Sequence, residues 1–124
     1  MQTETSETDR RRPVWLALSE LYLDNELQAD DLERLANTLT QSSFSLAELR
    51  KIDLYEVFPL LQPNLLSVAG EWAGFEESWL FRNCERLYNL RNNTFHRFKC
   101  RFLNKVFYWM RKDDWTKIAE QVKP

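Results

Sequence analysis

The sequence predicts an all-α protein, a compact bundle of five to seven helices with an aromatic-rich core. Three observations lead to it. Apolar residues recur at three- and four-residue steps along most of the chain, which is the helical period. Two glycines among 124 residues, beside 44% hydrophobic and 14% aromatic content, argue against disorder, collagen and low-complexity scaffolding. A chain of this length also buries roughly 68% of its unfolded surface, which suits one compact domain and not two.

Residues 1–9 read as a disordered N-terminal leader, because Met1 to Asp9 holds no apolar side chain after the initiator and no core would offset the entropy of ordering it. Residues 10–124 are expected to form a single helical domain. Its first helix starts near Arg10, with Pro13 tolerated in the first turn and Val14, Leu16, Ala17, Leu18, Leu21 and Tyr22 supplying the buried face. After Asp24-Asn25, either Asp30 or Asp31 caps a second helix carrying Leu32, Leu35, Ala36 and Leu39 and ending near Thr40. Ser45 followed by Glu48 has the spacing of a capping box, so a third helix begins there with Leu46, Leu49 and Ile52 inward.

Pro59 and Pro63 lack amide hydrogens, so Leu54 to Leu66 is expected to form a short helix, a kink and a further turn that Asn64 caps. Gly70, Glu71, Trp72 and Gly74 form the one glycine-containing loop. Phe75, Trp79, Leu80, Cys84, Leu87 and Tyr88 predict the next helix, with Glu76 and Glu77 in its first turn. Phe95, Phe98, Phe102, Val106 and Met110 predict a long aromatic helix; the alternating pattern at Phe95 to Phe102 does not separate apolar from polar cleanly enough for a strand. Asp113-Asp114 ends it and caps a short last helix with Trp115, Ile118, Ala119 and Val122. The expected core is Trp15, Leu35, Leu49, Phe58, Trp72, Trp79, Phe98, Phe102 and Trp115.

The net charge of −2 hides an asymmetry. Residues 1–90 hold 8 basic and 16 acidic side chains, whereas residues 91–124 hold 9 and 3, giving formal charges of −8 and +6. The acidic group Glu20, Asp24, Glu26, Asp30, Asp31 and Glu33 is the candidate surface for a basic protein partner. The basic group Arg97, Lys99, Arg101, Lys105, Arg111 and Lys112, interleaved with aromatics, is the alternative candidate, a nucleic-acid surface joining phosphate contacts to base stacking.

Enzymatic candidates are fewer. Glu71 beside Trp72 is the carboxylate whose pKa an aromatic neighbour could raise, ahead of Asp53, Glu56, Glu76 and Glu77, and Cys84 could be activated by His96. Two cysteines and one histidine make neither a disulfide framework nor a zinc centre, and no phosphate-binding loop or dinucleotide fingerprint occurs, so no metal, cofactor or catalytic residue is nominated. His96 is expected at the surface or at a helix end. No apolar run is long enough to span a membrane and no signal peptide opens the chain, so a reduced, cytoplasmic protein is expected.

Arg11-Arg12-Pro13-Val14-Trp15, Tyr55-Glu56-Val57 and, above all, Asn64-Leu65-Leu66-Ser67-Val68-Ala69-Gly70-Glu71-Trp72-Ala73-Gly74-Phe75 resemble a small bacterial domain family of unassigned function. The resemblance covers about Arg10 to Trp79 and extends to Trp115, and it implies a bacterial origin and a shared small-domain fold. It carries no catalytic residues. The function expected from size, local acidity and the lack of a catalytic signature is noncatalytic protein binding, in the form of an immunity-type protein that neutralises a toxin or effector. The alternatives are a nucleic-acid binder using the basic aromatic helix and a small enzyme using Glu71 or Cys84.

Overall fold

The computed structural model describes residues 3–23, 27–66 and 74–122, with backbone alone at 3–6. Among these residues it is a helical bundle without strands: α1 (Thr3–Ser19), α2 (Ala29–Gln41), α3 (Leu46–Ile52), α4 (Phe58–Leu66), α5 (Glu77–Tyr88), α6 (Thr94–Phe107) and α7 (Lys112–Gln121). A 3-10 turn follows α1 and another follows α6, while a π-turn at Asp53–Val57 joins α3 and α4 into one rod.

Helix α1 begins at Thr3, upstream of the Arg10 boundary, so Pro13 lies inside it. Residues 3–9 of the expected leader thus carry helical backbone. Charge pairing that an apolar pattern does not register supports it: Glu7 pairs with Arg11 at 2.7 Å and Arg10 at 3.3 Å, and Asp9 with Arg12 at 3.2 Å, all one turn apart. In α2 the cap position belongs to Gln28, whose amide donates to Asp31 at 3.0 Å from the first turn. The chain leaves α2 through Ser43 at φ +69°, a left-handed position where glycine is usual.

The capping box before α3 forms as the spacing predicts, Glu48 accepting from the Ser45 amide at 2.8 Å and Ser45 Oγ from the Glu48 amide at 3.1 Å. Instead of a kink and a separate turn, Leu46–Leu66 runs on as helix. Asn64 sits within it and donates to the Tyr22 carbonyl at 2.7 Å, a tie to the 3-10 turn that follows α1. Glu76 caps α5, accepting from the Trp79 and Ser78 amides, and Asn93 caps α6 through the His96 amide at 2.8 Å. Helix α6 ends at Phe107, earlier than expected, and Asp113 and Asp114 fall in the first turn of α7.

Helix α1 packs on α2, α5 and the π-turn; α5 and α6 also meet the π-turn, and α7 lies on α2. The π-turn is therefore the centre of the bundle. Of the expected core, Trp15, Leu35, Leu49, Phe58 and Trp115 are buried, joined by Leu18, Tyr22, Leu39, Leu61 and Ile118. Trp79, Phe98 and Phe102 are not: they are exposed, and Trp72 lies outside the described residues. Helix α6 instead turns His96 and Cys100 inward.

Candidate functional site

The centre of the molecule is shaped by one missing hydrogen. In an α-helix the amide of residue 59 would donate to the Tyr55 carbonyl, but Pro59 has none. The backbone widens, the Phe58 amide donating to Asp53 five residues back. The Tyr55 carbonyl is served from α6, where buried His96 places Nε2 3.0 Å away. Because a carbonyl only accepts, Nε2 carries the hydrogen of that bond. The Cys100 sulfur lies 3.6 Å and 3.8 Å from the two ring nitrogens, so the cysteine beside His96 is Cys100, not Cys84.

The π-turn carries two buried carboxylates, and each meets an arginine and an indole. Asp53 accepts from Tyr22 Oη at 2.6 Å, from Arg111 Nε and Nη2 at 3.3 and 3.2 Å, and from Trp115 Nε1 at 3.2 Å. Glu56 accepts from Arg11 Nη1 at 2.8 and 3.0 Å and from Trp15 Nε1 at 2.9 Å. Burial raises the pKa of both; Arg111 pulls Asp53 back down, and Arg11 does the same for Glu56. Burial, with Asp53 beside it, also lifts Tyr22 well above the usual phenol range. The Arg111 side chain, 2% exposed, packs its guanidinium against Phe58, Tyr108 and Tyr22, and its Nη1 has no hydrogen-bond partner among the described residues. The carboxylates are thus held by fixed donors from α1, the 3-10 turn after it, the connection between α6 and α7, and α7 itself, which locks these four segments around the π-turn.

The outer side of α6 is the opposite kind of surface. Phe95 is 72% exposed, Phe98 61%, Phe102 57%, Val106 49% and, just past the helix, Trp109 70%. Their spacing of three, four, four and three residues places them on one face. Phe98 and Phe102 stack with ring centres 6.4 Å apart, and with Arg101 and Lys105 they border a shallow cavity of about 170 Å³.

A family model for a domain of unknown function, DUF7079, matches residues 9–121. The chain belongs to the DUF7079 family. The DUF7079 match takes in α6 and α7 as well as the segment before Trp79 that carried the resemblance. No curated protein and no solved structure matches the chain. Two of the phrases that carried the resemblance meet in this DUF7079 fold: Arg11 and Trp15 both bind Glu56.

The other sequence-predicted residues are scattered. Glu20 and Asp31 are drawn together by Arg34, at 3.0 and 3.2 Å, while Asp30 and Glu33 are exposed and Asp24 and Glu26 lie outside the described residues. Half of the acidic candidates with described side chains are therefore engaged within the domain. Of the basic candidates, Lys99, Arg101, Lys105 and Lys112 are exposed, Arg97 is half-buried against Tyr55, and Arg111 is withdrawn from the surface by its pairing with Asp53. Gly74 has φ +154°, a conformation that favours glycine; Gly70, Glu71 and Trp72 lie outside the described residues. Burial holds the Cys84 thiol far up and pushes Cys100 up to about 11, so neither supplies a ready thiolate. The described residues hold no group of three or more histidines, cysteines or carboxylates fit for a metal ion. No helix among them is long and apolar enough to cross a membrane.

Sequence reasoning missed Arg11, Trp15 and Tyr22 as partners of the central carboxylates. A usable signal was there: Asp53 and Glu56 interrupt an otherwise apolar helical run, and acids in such a place need donors from elsewhere in the fold.

Proposed function

We propose that this domain is a noncatalytic protein-binding module whose recognition surface is the outer face of α6. The supporting observation is the unbroken row Phe95, Phe98, Phe102, Val106 and Trp109, five of the seven large apolar side chains found exposed among the described residues. Exposed apolar side chains grouped in this way mark interaction sites, whereas isolated ones are ordinary. Helix α6 carries Arg97, Lys99, Arg101 and Lys105 and no acidic residue, so two copies would repel face to face. The partner is a protein with an apolar groove edged by carboxylates, into which the helix lays its aromatic face. Such a module would neutralise a toxin or effector by covering its cleft, in the reducing cytoplasm of a bacterium where Cys84 and Cys100 stay free thiols.

The test is capture of proteins encoded beside this gene, with wild type, Phe98→Asp with Phe102→Asp, and Asp30→Asn with Glu33→Gln. Loss of a stoichiometric, nuclease-resistant partner in the α6 variant alone supports the proposal. Loss in the acidic-group variant alone moves recognition to α2.

The stacked Phe98–Phe102 pair beside Arg101 and Lys105 also favours a second reading, single-stranded nucleic acid with bases stacked on the exposed rings. Affinity for an oligonucleotide that falls steeply with salt and disappears with Phe98→Ala and Lys105→Gln is its expected signature. No binding at low salt removes it.

A further inference from the structure

A second cavity lies away from the aromatic face, where α1, α3, the π-turn, the end of α5 and α6 converge; it measures about 300 Å³. Its charges do not balance. The two carboxylates in its wall are engaged: Glu56 holds Arg11 and Trp15, and Glu48 accepts from the Ser45 amide. Arg11 is correspondingly occupied by Glu56 and Glu7. That leaves Lys51, Arg91 and Arg97 at the cavity with no carboxylate within salt-bridge distance among the described residues.

The two arginines are also held in place. The Arg91 guanidinium lies 4.2 Å over the Tyr88 ring with Nη1 donating to the Tyr88 carbonyl at 3.2 Å. The Arg97 guanidinium lies 4.6 Å over the Tyr55 ring with Nη1 donating to the Arg91 carbonyl at 3.4 Å. Each fork therefore keeps Nε and Nη2 without a protein acceptor among the described residues. Stacking limits the side-chain entropy lost when a ligand binds, and a guanidinium fork matches the paired oxygens of a phosphoryl group.

We propose that this cavity binds a phosphomonoester group, with Arg91 and Arg97 as fork donors and Lys51 as the third charge. Arg11, Lys51, Arg91 and Arg97 against Glu48 and Glu56 leave the lining a formal charge of +2, which a dianion answers better than a single carboxylate does. The volume stands at the lower end of small-ligand cavities, roughly 300–1,000 Å³, which leaves room for the phosphoryl group and a small organic remainder. The same chemistry is offered by a free phosphorylated metabolite and by a phosphorylated side chain on a partner.

The test is an NMR titration of the full chain with inorganic phosphate, glycerol phosphate and a phosphoserine peptide, with glycerol and the unphosphorylated peptide as controls. Saturable shifts at Tyr55, Tyr88, Arg91 and Arg97 are expected with the phosphates and not with the controls. Preference for glycerol phosphate or for the peptide tells which source the cavity suits. Arg91→Gln with Arg97→Gln should weaken binding by roughly tenfold or more, whereas Arg82→Gln with Lys117→Gln, exposed on α5 and α7 and outside the lining of the cavity, should leave it within about twofold. If the paired variant alters the circular dichroism spectrum, Arg91→Lys and Arg97→Lys replace it, keeping charge but losing the fork; undiminished affinity in both overturns the assignment. Absence of saturable shifts with every phosphate probe, or equal weakening by Arg82→Gln with Lys117→Gln, overturns the site.

Discussion

Arg111→Met removes the charge from the middle of the bundle while keeping an apolar body against Phe58, Tyr22 and Tyr108. Asp53 is then left fully buried with only the Tyr22 hydroxyl and the Trp115 indole as donors. Breaking a buried ion pair from one side costs about 3–5 kcal/mol, because the remaining charge loses its partner and cannot regain water. Total stability for a domain is about 5–15 kcal/mol, so one substitution takes a large share of it. With a urea slope of about 1–3 kcal/mol/M, the unfolding midpoint should fall by roughly 1–5 M at unchanged slope. Tryptophan fluorescence and circular dichroism at increasing urea would measure it. The loss should also depend on pH. Arg111 opposes the burial that raises the Asp53 pKa, so without it the folded-state value climbs further above the unfolded one. The stability gained from that raised value is fully present below the unfolded pKa and is lost as pH rises through the folded pKa, so Arg111→Met should be more damaging at about pH 8 than at about pH 5. Asp53→Leu in the Arg111→Met background should recover much of the loss, since no charge then remains buried. A cost below about 1 kcal/mol, or a double variant as unstable as the two single losses added, would refute the reasoning.

His96→Leu leaves the Tyr55 carbonyl buried without its donor and should cost about 1–3 kcal/mol. In a Pro59→Ala background the restored amide can serve that carbonyl, so the cost should shrink; an equal cost in both backgrounds would show that Pro59 is not what makes His96 necessary. Cys84 and Cys100 should react slowly with an aromatic disulfide at neutral pH until the chain is denatured, and rapid stoichiometric reaction of the native protein would contradict their burial. Phe98→Ser with Phe102→Ser should change stability by no more than about 0.5 kcal/mol per site in urea unfolding, as exposed positions do. A loss of several kcal/mol would mean that these rings are packed within the fold.

Features that depend on neighbours in the chain can be read from residue order. The helical period located the stripe of α2, whose Leu32, Leu35, Ala36 and Leu39 are all buried, and the Ser45–Glu48 box marked the start of α3 to the residue. Such features are legible because each interaction closes within about one turn. Which side of α6 faces inward follows from the packing of the bundle alone. Periodicity shows that Phe95, Phe98, Phe102 and Val106 share a face, but not whether another element covers it. The bundle buries the other side, where His96 supplies the hydrogen that Pro59 withholds from Tyr55. The central network is likewise invisible in the chain, since Asp53 lies 31 residues from Tyr22 and 58 from Arg111. Whether a charged residue is a surface contact or a buried brace depends on the donors that folding brings to it, and Arg111 moved from one category to the other for that reason.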